Sequence, residues 1–150
     1  MRYKVGMTTL AMLPQVATPR LLLREVKLAD IADFTGFMTQ PDYQRHIAMR
    51  LRNAAEVSAF VARCVSRQND ERRNIFHLAA EEQESGEVIG DGFMILQGDG
   101  SIEIGWGLHP AMWSMGFGTE IGEALLAHAF ERLKTERTWC KVMGGNLASQ

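Results

Sequence analysis

The sequence has little of several features that would decide a class of protein. Only two of its 150 residues are cysteine, and neither Cys64 nor Cys140 has a metal-binding neighbour at a usable spacing. Both are expected to be core thiols, since Cys64 falls on an apolar helical stripe and Cys140 in an apolar strand. No apolar run is long enough to span a membrane, and the N-terminal apolar stretch is too short and broken for a secretory signal. These absences predict a cytoplasmic protein that does not bind a metal or a membrane.

The chain also lacks an excess of positive charge. Its formal net charge is −2 at pH 7, which argues against a protein that binds nucleic acid through bulk charge. No proline- or serine-rich linker and no repeat divides the sequence, and 150 residues with 46% hydrophobic residues suit one domain with a substantial core. Residues 1–17 show no clear period and contain Pro14. We therefore predict an N-terminal extension over residues 1–17 and one domain over residues 18–150.

Periodicity predicts a short strand and two amphipathic helices in the first half of the domain. Residues 20–26 are β-like, and apolar residues recur at helical spacing over residues 30–38 until Pro41 breaks the pattern. The second helix starts after Asn53, which can cap it while Glu56 reaches back. Its apolar stripe consists of Val57, Phe60, Val61, Cys64 and Val65.

Three strands joined by short turns follow the helices. Residues 74–81, 88–96 and 101–109 have strand patterns, and glycine-containing turns separate them, which predicts an antiparallel meander. A helix then begins near Gly116, and residues 139–143 form a last strand. Because a strand–helix–strand crossover joins parallel strands, the third strand of the meander and the last strand should be parallel.

The third strand of the meander has two different faces. One face is nearly bare backbone, because it carries Glu103 together with Gly105 and Gly107. Glycine in a strand marks either a bulge or the close approach of a ligand, and the pattern alone leaves both alternatives open. The other face should pack on the core; its apolar residues are Ile102, Ile104, Trp106 and Leu108.

The next helix begins in the segment WSMGFGTEIG, residues 113–122. The start of a helix presents unpaired N–H groups, and Gly116 and Gly118 would let an anion approach them. No lysine follows Gly118, which argues against the phosphate loop of nucleoside triphosphate hydrolases. A dinucleotide-binding fingerprint also fits poorly, because residues 109–115 separate the first glycine from the strand. On these glycines alone, a purely structural helix start is an equal alternative.

Several short motifs occur together in one order along the chain. They are TPRLLLR (residues 18–24), IG (89–90), EIGWGL (103–108), WSMGFGTE (113–120) and NLAS (146–149). Together they resemble the GCN5-related N-acetyltransferase (GNAT) superfamily, and most closely its branch of ribosomal-protein-alanine N-acetyltransferases. The resemblance implies an α/β (α+β) fold with a mixed, mostly antiparallel central sheet and helices on both faces. It also implies transfer of an acetyl group from acetyl-coenzyme A (acetyl-CoA), as co-substrate, to a primary amine by direct attack in a ternary complex.

The resemblance assigns a cofactor site to the glycine segment and the strand before it. The backbone amides of Met115, Gly116, Gly118 and Thr119 would hold the pyrophosphate of acetyl-CoA. Backbone groups near Leu108, at the end of the strand, would pair with the pantetheine arm. A strand edge can pair with an extended arm in this way because it exposes main-chain donors and acceptors.

Three further residues receive roles from the resemblance. Glu103 matches a glutamate proposed as the general base that takes a proton from the acceptor ammonium; a structural ion pair or exposure to solvent is the alternative. Asn146 matches an asparagine that bonds to the pantetheine arm, and it could equally cap a helix. Ser149 matches a position where a hydroxyl can protonate the departing thiolate, and an ordinary surface serine is the alternative.

Members of the family continue past the NxxS motif with a helix and further strands, whereas this sequence ends at Gln150. We therefore expect a C-terminally truncated GNAT domain whose last strand has an uncovered edge, for which a homo-oligomer would be one remedy. Weakened or absent catalysis is expected in this form. The alternative function is a non-catalytic acyl-CoA-binding or degenerate GNAT module. The acceptor, a protein N-terminus or a small-molecule amine, is not defined by the sequence.

Overall fold

The computed structural model describes residues 15–149, which form one six-stranded sheet with helices on both faces. The strands are β1 (Val16–Ala17), β2 (Leu21–Glu25), β3 (Ile75–Glu82), β4 (Val88–Leu96), β5 (Ile102–Leu108) and β6 (Thr138–Trp139). The helices are α1 (Ile31–Met38), α2 (Pro41–Gln44), α3 (Ala54–Arg67) and α4 (Phe117–Ala127). Most of the predicted N-terminal extension lies outside the described residues, and its last part contains β1.

The strands follow one another across the sheet in chain order. Each pair from β1 to β5 is antiparallel, and β5 is parallel to β6 across the α4 crossover. The predicted meander, the parallel crossover and the mixed, mostly antiparallel α/β (α+β) fold are confirmed. The predicted strand over residues 139–143 is wrong in extent, because the chain leaves the sheet after Trp139. Cys140 is consequently exposed rather than a core thiol, whereas Cys64 is buried as predicted.

Each face of the sheet has its own hydrophobic core. On one face, α4 contributes Ile121 and Leu125. On the other face, α1 and α3 bring three aromatic side chains together, with the ring centroid of Phe34 5.4 Å from that of Phe37 and 6.5 Å from that of Phe60. Burying such side chains contributes roughly 1.5–3 kcal/mol each. The sheet is therefore covered on both faces.

The start of α3 follows the predicted capping pattern with one difference. Asn53 Oδ1 accepts a hydrogen bond from the N–H of Glu56 at 2.9 Å. The Glu56 carboxylate, however, accepts from the N–H of Arg52 at 2.7 Å instead of that of Asn53. Pro41 ends the pattern of α1 as predicted, and it also occupies the first turn of α2, where its missing N–H is not needed.

The helix predicted after Gly116 changes geometry before it ends. α4 continues into a π-helical turn over His128–Arg132, where the N–H of Leu133 donates to the carbonyl of His128 at 3.1 Å. Leu126 and Phe130 of this helical stretch are exposed, whereas Leu133 after it packs against the core.

A buried ion pair joins β2 to the start of α1. The two Nη atoms of Arg24 lie 2.9 and 2.8 Å from the two carboxylate oxygens of Asp30, and its Nε lies 2.6 Å from Glu81 Oε2. Asp30 also accepts a hydrogen bond from the N–H of Lys27 at 2.8 Å. Removing one member of such a buried cluster leaves another charge without a partner, which strongly destabilises a fold.

Candidate active site

The start of α4 presents backbone N–H groups that lack acceptors. Gly116 has φ 84°, a left-handed conformation that glycine adopts without steric cost, and it turns the chain into the helix. The first helical bond runs from the N–H of Glu120 to the Gly116 carbonyl at 3.1 Å. Because the positive end of the helix dipole adds to these groups, they can hold an anion. Within residues 15–149 no acceptor pairs with the N–H groups of Met115, Gly116, Phe117, Gly118 and Thr119.

The third glycine of the segment serves the packing of α4 on the sheet. A Cβ on Gly122 would lie 2.9 Å from the indole ring of Trp106, a distance that side chains do not tolerate. Trp106 belongs to the predicted core face of β5 but is partly exposed, because its ring lies over the first turns of α4. Gly122 is thus explained by close packing and needs no ligand.

Among residues 15–149, nothing pairs with the outer edge of β5 over most of its length. β6 pairs only with Ile102 and Glu103, whereas β4 pairs with the whole of β5. In the part of the chain that the structure describes, no strand covers the outer edge over residues 104–108. At the end of this edge the Leu108 carbonyl accepts a hydrogen bond from the indole N–H of Trp113 at 3.0 Å. The carbonyl keeps a second lone pair, and Trp113 joins the strand end to the loop before α4.

Side chains fill the glycine face of β5. The pairing of β4 with β5 has no register shift, so the glycines do not mark a bulge in this ladder. A Cβ on Gly105 would lie 2.4 Å from the ring of Phe93, and one on Gly107 would lie 2.5 Å from the hydroxyl oxygen of Tyr43. The bare face is therefore covered by neighbouring side chains, and close packing accounts for both glycines. Its occupants come from β4 and α2, which no local pattern of β5 could reveal.

A hydrogen-bonded cluster lies beside Gly107. The hydroxyl of Tyr43 donates to Asp91 Oδ1 at 2.9 Å, and Nε2 of His77 lies 2.7 Å from Asp91 Oδ2. Burial, and then the charge and hydrogen bond of Asp91, raise the pKa of Tyr43 well above its ordinary value. Tyr43 and His77 are 48 and 14 positions from Asp91 in the sequence, so no spacing motif marks the cluster.

Glu103 is buried beside the parallel contact of β5 with β6. Its Oε1 lies 3.5 Å from Nζ of Lys141, which in turn lies 5.1 Å from the ring centroid of Trp139. The structure thus contains the ion pair that was the alternative to the general-base role. The Lys141 side chain is 75% exposed, and such pairs are weak. The general-base role of Glu103 therefore stays a prediction.

Asn146 and Ser149 lie in the last described turn. The N–H of Asn146 donates to the Met143 carbonyl at 2.9 Å, and the N–H of Ser149 donates to the Asn146 carbonyl at 3.2 Å. Asn146 precedes the short 3-10 turn Leu147–Ser149, where a cap residue would stand, and Ser149 is exposed. Over the described residues, no hydrogen bond or ion pair connects either side chain with Glu103 or with the start of α4.

The start of α4 is fastened to the segment before β2. The carboxylate of Glu120 accepts hydrogen bonds from the Thr18 hydroxyl at 2.5 Å and from the Arg20 N–H at 2.8 Å. The Arg20 guanidinium also donates to the Met115 carbonyl at 3.0 Å. The sequence motifs contain these residues but gave them no role. Their polar side chains inside two separate motifs were the signal that could have paired them.

Comparison of the sequence with models of protein families gives independent information on the unpaired N–H groups of α4 and the open edge of β5. A family model described as an acetyltransferase (GNAT) domain matches residues 20–150, and the chain belongs to this family. The resemblance to the GNAT superfamily is therefore confirmed. Comparison with curated protein sequences gives no match.

Solved structures of acetyltransferases share the fold. The GNAT-family acetyltransferase from Bacillus anthracis has a TM-score of 0.73 at 18% identity, over 85% of this chain and 72% of that chain. RimL, a ribosomal L7/L12 alpha-N-protein acetyltransferase, has a TM-score of 0.76 at 16% identity, over 91% and 75%. MccE, a microcin C7 self-immunity acetyltransferase in complex with acetyl-CoA and AMP, has a TM-score of 0.74 at 14% identity, over 88% and 74%. At such identities the likeness concerns the fold alone.

Two further findings concern residues 15–149. None of their helices is long and apolar enough to cross a membrane. Their histidine, cysteine and acidic side chains form no group of three or more that could hold a metal ion.

Proposed function

We propose that the chain transfers an acetyl group from acetyl-CoA to a primary amine by direct attack in a ternary complex. The observation that carries the proposal is the junction of β5 with α4, where a strand with an open outer edge is followed by a helix start with unpaired N–H groups. Membership in the GNAT family supports acetyl-CoA as the donor. MccE, which shares the fold, is itself in complex with acetyl-CoA.

The junction offers two kinds of group to a long, thin cofactor. The amides of Met115, Gly116, Gly118 and Thr119 would hold the pyrophosphate, since unpaired N–H groups at a helix start suit an anion. The open edge near Leu108 would pair with the pantetheine arm through main-chain groups. Asn146 would add a side-chain hydrogen bond to the same arm. All these groups belong to the chain itself, and the proposal needs no metal, nucleic acid or membrane.

The acetyl transfer needs a group that takes a proton from the amine. The amine nitrogen forms a bond to the acetyl carbon while the bond from this carbon to sulfur breaks, and the acceptor ammonium must first lose a proton. Glu103 would accept that proton, directly or through water, because it lies where β6 leaves the edge of β5. Ser149 would donate a proton to the departing thiolate and regain one from the attacking nitrogen, which loses its second proton as the amide forms.

The acceptor is a protein N-terminus or a small-molecule amine. The name of RimL, a ribosomal L7/L12 alpha-N-protein acetyltransferase, describes a protein N-terminus as the acceptor. This supports the first of the two classes. Residues 38–53, which contain α2, would line the acceptor side. We further propose that residues 18–150 form the acetyltransferase domain, after an N-terminal extension over residues 1–17, and that it works in the cytoplasm.

One observation favours a second candidate, a non-catalytic acyl-CoA-binding or degenerate GNAT module. The Glu103 carboxylate already has Lys141 as an ionic partner. If this pair persists when ligand is bound, the carboxylate stays paired with Lys141 instead of taking a proton from the amine. The module would still bind the cofactor through the backbone groups of β5 and α4.

Thiol release and cofactor binding together test both candidates. The purified chain is mixed with acetyl-CoA and a panel of amines and N-terminal peptides, and coenzyme A binding is measured by calorimetry. The enzyme releases thiol only with a suitable amine. Binding without release identifies the module, and the absence of both contradicts both candidates. Glu103→Gln should lower kcat by about 10²-fold or more with little change in KM for acetyl-CoA. Glu123→Gln, an exposed change on α4, is the control.

A further inference from the structure

Three residues form a clamp on the start of α4: Thr18, Arg20 and Glu120. The hydroxyl of Thr18 and the backbone N–H of Arg20 both donate to Glu120 Oε1, at 2.5 and 2.8 Å. Nε and Nη2 of Arg20 lie 2.9 and 2.8 Å from Oε2. Both carboxylate oxygens of Glu120 are thus held by a segment that lies about 100 positions earlier in the chain. The clamp ties the first turn of the helix to the residues that enter β2.

Arg20 also reaches the peptide bond before Gly116. Its Nη1 donates to the Met115 carbonyl at 3.0 Å. This peptide is trans, so the N–H of Gly116 points away from the guanidinium. On the other side of Gly116, the guanidinium carbon lies 3.9 Å from the ring centroid of Phe117. The side chain of Arg20 therefore sets the direction of one of the unpaired N–H groups.

The left-handed turn at Gly116 packs against the same guanidinium. A Cβ added to Gly116 would lie 3.3 Å from Nη2 of Arg20, and φ of Gly116 is 84°. Both the conformation and the contact favour glycine at this position. The turn that opens α4 and the arginine beside it thus form one packed unit.

The negative charge of Glu120 gives Arg20 a second, electrostatic role. A carboxylate in the first turn suits the helix dipole, but it repels an anion bound at the same helix start. Burial would raise the pKa of Glu120, but hydrogen bonds from Thr18 and Arg20 outweigh burial and keep the pKa below its ordinary value. The carboxylate is therefore charged at neutral pH, and the guanidinium is its counter-charge.

We propose that Arg20 is a positioning residue for recognition of the coenzyme A pyrophosphate. Held by Glu120, whose carboxylate Thr18 also anchors, it directs the Gly116 amide away from the clamp, where an anion can reach it, and cancels the negative charge of Glu120. This inference rests on the proposed function, which assigns the pyrophosphate to the start of α4. It adds that a side chain from the entry to β2 sets the affinity for the pyrophosphate half of the cofactor.

Two ligands separate this role from a general structural one. Calorimetry gives the Kd of coenzyme A and of pantetheine, which lacks the pyrophosphate, for the full chain and its variants. Arg20→Met keeps an apolar side chain over Phe117 but removes the charge and the donors. It should weaken coenzyme A binding by about 10- to 100-fold and leave pantetheine binding within about twofold. Arg20→Lys keeps the charge but lacks the planar guanidinium group with its several donors. Its affinity for coenzyme A should lie between those of the parent chain and Arg20→Met.

A second substitution tests the electrostatic part of the proposal. Glu120→Gln in the Arg20→Met background removes the carboxylate that has lost its counter-charge. The double variant should bind coenzyme A about tenfold more tightly than Arg20→Met alone. The matched control is Arg137→Met, which makes the same charge change in an exposed pair with Asp99. Arg137→Met should leave both dissociation constants unchanged.

The outcomes distinguish a failure of this inference from a failure of the proposed function. If the parent chain binds coenzyme A and Arg20→Met binds it equally well, the inference is overturned while the proposed function stands. If Arg20→Met weakens coenzyme A and pantetheine equally, the arginine only supports the fold and the inference is again overturned. A parent chain that binds neither ligand overturns the proposed function together with the inference. Arg20→Lys keeps the test available if Arg20→Met does not fold.

Discussion

The hydroxyl of Tyr43 donates a hydrogen bond to Asp91 Oδ1 at 2.9 Å, and this contact fastens the short helix α2 to the sheet. Asp91 is 5% exposed and receives its other polar contact from His77. A buried carboxylate depends on such partners because burial removes the water that would otherwise solvate its charge. The cluster therefore determines where residues 38–53, the proposed acceptor side, lie relative to β5.

Tyr43→Phe should destabilise the fold by about 1–3 kcal/mol, because Asp91 then keeps only one of its two partners. Urea unfolding followed by circular dichroism measures the free energy of unfolding. Asp91→Asn and the double variant complete a double-mutant cycle, in which the two changes should be clearly non-additive. Additive effects would mean that the hydrogen bond does not couple the two residues.

Gly107→Ala should cost about 1–3 kcal/mol of stability, because the added Cβ would lie 2.5 Å from the Tyr43 hydroxyl and 2.9 Å from Asp91 Oδ1. The matched control is Gly98→Ala in the turn after β4, where a Cβ meets nothing within 4 Å. Thermal unfolding of both variants gives the comparison. Equal melting temperatures for the two variants would contradict the filled glycine face.

Asp30→Asn should lower stability at neutral pH by about 3 kcal/mol, since Arg24 keeps Glu81 but loses its bidentate partner. Burial would raise the pKa of Asp30, but the bonds from Arg24 and Lys27 lower it below the ordinary value. The folded carboxyl therefore binds a proton less readily than the unfolded one. Its contribution is complete above the unfolded pKa of about 4 and is lost as the pH falls below it.

The lowered pKa of Asp30 determines how the stability of the protein changes with pH. Between pH 5 and pH 2 the parent should lose more stability than Asp30→Asn, as measured by urea unfolding at each pH. Asp42→Asn is the control, because its ion pair with Arg45 is exposed on both sides and should contribute under about 1 kcal/mol. Parallel stability curves for the parent and Asp30→Asn would show that the buried pair does not drive the acid response.

The two cysteines should differ sharply in reactivity. Burial, as the main cause, raises the pKa of Cys64 to about 11, whereas Cys140 is exposed after β6. At pH 8 one thiol per chain should react rapidly with Ellman's reagent, and the second should react only on unfolding. Cys140→Ser should abolish the rapid phase. A rapid phase that survives in Cys140→Ser would place Cys64 at the surface.

The elements that the sequence predicts well are those defined by local chemistry. Asn53 caps α3 because its side chain reaches an N–H three residues away, and β4 has the predicted bounds of residues 88–96. The parallel contact of β5 with β6 follows from the chirality and length of the crossover. None of these features depends on a distant part of the chain.

The features that the sequence misses depend on distant contacts. Tyr43 fills the space beside Gly107 although 64 positions separate them in the sequence, by the difference of their numbers. The strand predicted over residues 139–143 ends at Trp139, because apolar composition there sets β-propensity but not the number of partners in the sheet. The candidate site is half predictable for the same reason. Its backbone groups carry a motif, whereas the proposed role of Arg20 requires the segment before β2 to lie beside α4.

The open edge of β5 bears on how far such sequences can diverge. Main-chain groups at a strand edge are the same for every residue except proline, which lacks the N–H. Substitutions along that edge therefore leave its pattern of donors and acceptors intact as long as the strand persists. A backbone surface of this kind tolerates extensive sequence drift, in keeping with a shared fold at 18% identity to the Bacillus anthracis acetyltransferase.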